Sequence, residues 1–82
     1  MNYLTITNSR KIIMKALSDK GVYQFRHYII RNSKGTKTER NKHMKTACLQ
    51  LNKEKVLRIT GRRMFSSAGI SGINYTLIKE PD

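Results

Sequence analysis

The chain has 82 residues, with 17 Lys and Arg against five Asp and Glu, a formal net charge of +12, no Trp and one Cys. A chain this short builds one modest core, which excludes a multidomain enzyme and an elaborate internal active site. The charge lies well beyond the roughly 2–8 units suited to a small soluble domain, and its self-repulsion calls for a polyanionic partner. The expectation is a single basic nucleic-acid-binding domain over residues 1–82, with its core over 8–79.

Residues 1–7 alternate weakly and read as a short strand or a tail. Asn8 or Ser9 then caps a helix from about Arg10 to Lys20, buried through Ile12, Ile13, Ala16 and Leu17 and closed by Gly21. The longest aliphatic run is of the Ile12-Ile13-Met14 kind, so neither a secretory signal nor a spanning helix is expected. The predicted location is cytoplasmic, nucleoid-associated if the ligand is DNA, with no membrane partner.

Residues 21–32 are ambiguous. Their aromatic and β-branched side chains suit a strand, while Val22, Phe25, Tyr28 and Ile29 also fit a helical stripe; a helix over 24–31 is preferred. Asn32-Ser33-Lys34-Gly35 follows as a turn. Thr36-Lys37-Thr38-Glu39 has the form of a capping box and opens a predicted helix over 36–51, which buries Met44, Ala47, Cys48 and Leu51 at i, i+3, i+4, i+7 and stops at Asn52. Beyond it, 56–60 and 73–79 read as two strands with Leu57, Ile59, Tyr75 and Leu77 inward. Residues 61–72 between them make a long Gly/Ser-rich hairpin connection, part of which has to extend the strands.

Cations gather at Arg31, Lys34, Lys37, Arg40, Lys42 and Lys45 and return at Arg58, Arg62 and Arg63. Phosphate binding needs such a series, and Thr38, Asn41 and Thr46 add neutral groups able to read base edges. These twelve residues form the candidate nucleic-acid site. Tyr23, Phe25 and Tyr28 are weighed as base-stacking residues, with packing preferred. Leu49 falls on the outward side of the central helix, where cover from elsewhere in the fold is expected and a thymine-methyl or protein contact is the alternative.

His27 and His43 make no metal-ligand spacing with Cys48 or a carboxylate, the five acids are scattered, and Gly69-Ile70-Ser71-Gly72 lacks the lysine of a phosphate-binding loop. No catalytic residue, cofactor or metal is predicted. Cys48, alone and in the apolar stripe, is read as a buried hydrophobe.

The order helix, helix, turn, helix, hairpin in a small basic chain resembles winged helix-turn-helix DNA-binding domains over residues 8–79. The resemblance implies an α+β fold of about three helices followed by a C-terminal β-hairpin. It also implies a recognition helix at 36–51 and a wing at 61–72. The leading expectation is therefore a monomeric or homodimeric regulator or architectural factor on double-stranded DNA. The alternative is a phage-type inhibitor or interaction protein whose basic face occupies a nucleic-acid path or an acidic patch on a larger nucleoprotein complex. A third possibility is an RNA-binding protein, with 21–32 as a strand and its aromatics as the platform.

Overall fold

The computed structural model describes residues 5–80, and the expectations for residues 1–4 and 81–82 lie outside it. The elements run α1 (Ile6–Lys20), β1 (Val22–Arg31), β2 (Lys37–Arg40), α2 (Lys42–Lys53), β3 (Leu57–Ser67) and β4 (Ile70–Lys79). The strands form one antiparallel sheet in the order β2-β1-β4-β3. The fold is α+β, but with two helices and four strands in place of three helices and a hairpin, so the winged arrangement implied by resemblance is not the one found.

Helix α1 begins a turn earlier than its sequence signals. The Thr5 hydroxyl accepts from the Asn8 N–H at 3.0 Å, which satisfies one free donor at the helix start. Gly21, at φ 76°, ends the helix as predicted. The buried stripe is Ser9, Ile13 and Leu17, whereas Ile12 is 37% exposed. Of two adjacent isoleucines on a helix only one can face inward.

The segment expected as a helix over 24–31 is the ten-residue strand β1. Local pattern left both options open, and pairing with β4 from Val22↔Ile78 to Ile30↔Ile70 decided between them. The same kind of contact overrides the capping box. Residues Lys37–Arg40 pair with β1 from Tyr28↔Arg40 to Arg31↔Lys37, and the Asn32 side-chain oxygen accepts from the N–H groups of Lys34 and Thr36 to shape the turn between them. The predicted 36–51 helix thus loses its first turn and a half to a strand. Asn41, at φ 62°, turns the chain from β2 into α2, a left-handed conformation that Asn tolerates better than most residues. Asn52 is not the stop: α2 runs to Lys53, and the positive φ falls on Lys55.

The stripe of α2 is as expected, with Met44, Ala47, Cys48 and Leu51 all buried. It packs with Ile13 and Leu17 of α1 and with Phe25, Leu57, Tyr75 and Leu77 of the sheet. Phe25 stacks on Tyr75 with ring centroids 5.1 Å apart, and Tyr23 continues the stack at 6.1 Å. The helices are held together outside the core by Arg10, whose guanidinium donates to both Glu54 carboxylate oxygens at 2.7 and 2.8 Å and to the Gln50 side-chain oxygen at 3.1 Å. This fork keeps the Glu54 carboxyl below its ordinary range.

Most of the predicted long connection over 61–72 is strand. β3 and β4 stay paired to Ser67↔Ile70, and only Ala68 and Gly69 turn the chain. Both have positive φ, 43° and 82°, the requirement of the two-residue turn whose twist matches a hairpin. One bulge, at Thr60 between Ile59 and Gly61, shifts the register; its hydroxyl donates to the Thr76 carbonyl at 3.3 Å.

Strand parity then assigns the two faces. Tyr23, Phe25, Ile59, Tyr75 and Leu77 look toward the helices, and Gln24, Arg26, Tyr28, Arg63, Phe65 and Asn74 look away. Neither helix covers this second face. At Gly72 it is tight: a β-carbon there would collide with the His27 carbonyl oxygen and lie 2.6 Å from the Tyr28 β-carbon.

Three outcomes follow. Leu51, 2% exposed, should cost ~2–5 kcal/mol when changed to Ala, and a loss below ~1 kcal/mol in urea titration would remove it from the core. Gly72→Ala should destabilise by ~1–3 kcal/mol by overpacking β1 against β4; unchanged stability would mean that the strands lie further apart. Burial pushes the Cys48 thiol up to about 11, only partly offset by Arg62, so alkylation at pH 8 should await unfolding.

Candidate nucleic-acid interface

The helix-free face of the sheet is laid out in rows across the strands, set by the pairing register. The central row runs Arg40, Tyr28, Gly72, Phe65 from β2 to β3. With no side chain at Gly72, the rings of Tyr28 and Phe65 approach across β4, their centroids 6.4 Å apart and their planes inclined by 59°. Each ring carries an arginine: the Arg26 guanidinium lies 5.7 Å from the Phe65 centroid, and that of Arg40 lies 5.9 Å from Tyr28. These are cation–π distances, which hold two positive charges beside two aromatic faces. Both rings are half-buried and both arginines exposed.

The neighbouring row on one side is Arg26, Asn74, Arg63; beyond it come Gln24, Thr76 and Gly61. On the other side lie Thr38, Ile30, Ile70 and Ser67. The face therefore grades from polar and cationic, through aromatic, to aliphatic.

Its electrostatics follow from where the acids sit. Each of the four described carboxylates has a Lys or Arg nitrogen within 4 Å: Asp19 with Lys15, Glu39 with Lys42, Glu54 with Arg10, and Glu80 with Arg58. None of these pairs involves Arg26, Arg40 or Arg63. Those three guanidiniums make no ion pair among the described residues.

The twelve sequence-predicted residues are not gathered in one place. Arg40 and Arg63 flank the aromatic row, and Thr38 adjoins it. Arg58 shares this face at the far end, bound to Glu80 at 2.7 Å. Arg31, Lys34 and Lys37 crowd the end of the sheet around the β1–β2 turn. Lys42, Lys45 and Thr46 stand on α2, where the Thr46 hydroxyl donates to the Lys42 carbonyl at 3.1 Å. The Asn41 amide N–H donates to the Arg26 carbonyl at 2.6 Å, so this group, expected to read a base, instead ties α2 to the edge of β1. Arg62 points to the helix side, close enough to act on Cys48.

Arg26 and Phe65 were missed and Tyr28 was assigned to packing. The available signal was parity: in the 22–31 segment the even positions carry Arg26 and Tyr28 while the odd ones carry Tyr23, Phe25 and His27. As a strand, that pattern separates an inner set of rings from an outer one. His27 is 5% exposed, with its Nε2 lacking a hydrogen-bond partner and lying 3.4 Å from a Glu39 carboxylate oxygen. Leu49, expected to be covered, is 41% exposed.

No helix among the described residues is long and apolar enough to cross a membrane. Comparison of the chain with family models, curated proteins and solved structures found no match.

Proposed function

We propose that the chain binds single-stranded nucleic acid across the helix-free face of its sheet, with Tyr28 and Phe65 as the stacking platform and Arg26, Arg40 and Arg63 as phosphate contacts. The observation that carries this is the pair of half-buried rings brought together over Gly72 and bordered by guanidiniums that are in no ion pair among the described residues.

An isolated aromatic pair on a soluble surface is unfavourable in water, and stacking of a base on such rings contributes about 1–3 kcal/mol per base with little sequence demand. A duplex keeps its base faces inside the stack, where this platform has no access to them. The phosphate chain needs cations on either side of the bases. They are present: Arg40 lies toward β2 and Arg63 on β3, with Arg31, Lys34 and Lys37 at the end of the sheet.

Fluorescence anisotropy with labelled U8 and dT8, competed by a duplex, provides the measurement. At low salt the wild type should bind the single strands in preference to the duplex, with affinity falling on a log–log plot by roughly 0.7 per phosphate neutralised. Tyr28→Ala and Phe65→Ala should each weaken binding by ~1–3 kcal/mol while the far-ultraviolet circular dichroism stays native. Full affinity in both variants would sink the platform. Binding of no oligonucleotide at low salt would move the basic surface to an acidic protein partner instead.

A further inference from the structure

Beside the aromatic row the sheet face has a hollow of about 450 Å³, lined among others by Gln24, Arg26, Gly61, Arg63, Asn74 and Thr76. Its origin is local. The bulge at Thr60 brings Gly61 opposite Thr76, and the missing side chain leaves a gap between the arginine row and the end of the sheet. A β-carbon at Gly61 would press on the Thr76 hydroxyl at 3.3 Å.

The polar groups around this hollow are of two kinds. Arg26 and Arg63 stand on either side of Asn74 in one row across the sheet, and neither is in an ion pair among the described residues. The Asn74 side-chain oxygen is shielded from solvent and has no hydrogen-bond partner among the described residues, although Gln24 and Thr76 below it bond to each other at 3.3 Å. A buried acceptor without a donor is costly, and a ligand that draws the flanking arginines aside and supplies a donor would relieve that cost. Hydrogen-bonding forks and a lone acceptor in one row match a base edge that offers two adjacent acceptors together with N–H donors.

We infer that the Arg26–Asn74–Arg63 row reads a guanine, the neighbour of the base stacked on Tyr28 and Phe65; this deepens, and stands on, the single-strand proposal above. Guanine presents O6 and N7 together, the pair that an arginine fork meets in bidentate fashion. Its N1–H and N2–H are the donors for the Asn74 oxygen. Uracil and adenine lack an adjacent acceptor pair; cytosine has one in O2 and N3, but only its N4 amine beside it, where guanine sets both N1–H and N2–H. The row lies two residues along the strands from the aromatic one, about 7 Å away, within reach of the next nucleotide of an extended strand.

The test compares U8 with U8 carrying one central guanine, one central 7-deazaguanine, adenine or cytosine, and repeats the uracil and guanine arms as DNA with dT8. One guanine should tighten binding about tenfold, and 7-deazaguanine, which lacks N7, should lose most of that gain. Lysine keeps the charge of arginine, and with it a phosphate contact, without the fork, so Arg63→Lys or Arg26→Lys should bring the ratio of guanine-strand to U8 affinity from about ten to about one, with an unchanged melting temperature. Equal affinity for all four bases in a wild type that binds U8 would overturn the inference and leave the single-strand proposal standing. So would variants that weaken U8 and the guanine strand alike and keep the wild-type ratio, since the arginines would then serve the phosphate chain alone. Failure of every oligonucleotide to bind at low salt would overturn both.

Discussion

Pairing of β1 with β4 in a single register governs both sides of this molecule. It sets Phe25 against Tyr75 on the inner face, where their rings stack at 5.1 Å, and on the outer face it sets Tyr28 against Gly72. Because side chains alternate along a strand, a slip of one residue would exchange the two faces, sending core aromatics to solvent and arginines inward. Ten apolar and partly apolar side chains drawn from α1, α2, β1, β3 and β4 resist that slip, and the close fit at Gly72 adds a steric check from the other side. The outer aromatic pair is thus positioned by the same constraint that builds the core.

Element length accounts for the unequal treatment of the faces. Two helices of 15 and 12 residues reach about 22 and 18 Å, while ten- and eleven-residue strands reach about 33–36 Å. They cover the inner face where Leu57, Tyr75 and Leu77 lie. The sheet extends past them, and among the described residues no layer covers its outer face. A fold with one bare sheet face ordinarily lines it with small polar residues; this one places two aromatic rings there and covers them with guanidiniums.

Charge is distributed so that its repulsion stays on the surface. The acids are engaged one by one, two of them in structural roles: Glu54 bridges the helices through Arg10, and Glu80 closes the end of β3 through Arg58. Such exposed pairs contribute modestly, and the uncompensated cations left on the sheet face and at its β1–β2 end retain their repulsion. A polyanion laid along them would relieve it, and binding of that kind would raise stability.

What the amino-acid sequence by itself determined is local. The spacing of Met44, Ala47, Cys48 and Leu51 specifies one face of a helix, Gly21 specifies the end of another, and the alternation of Leu57 with Ile59 and of Tyr75 with Leu77 specifies strands, because each pattern needs only its own neighbours along the chain. The candidate cations were visible as composition, and Arg40 and Arg63 among them do flank the aromatic row. What only the tertiary structure decided is non-local. Residues 22–31 fit two periods until β4 offered pairing from Val22 to Ile30, and Thr36 to Glu39 had a sound capping box until the edge of β1 took Lys37 to Arg40 as a strand. The wing became strand for the same reason, its Arg-Arg-Met-Phe stretch having no apolar alternation to announce it. The pairing of Tyr28 with Phe65 joins residues 37 positions apart, and it exists because a glycine lies between them on a third strand; no spacing within either segment encodes that contact.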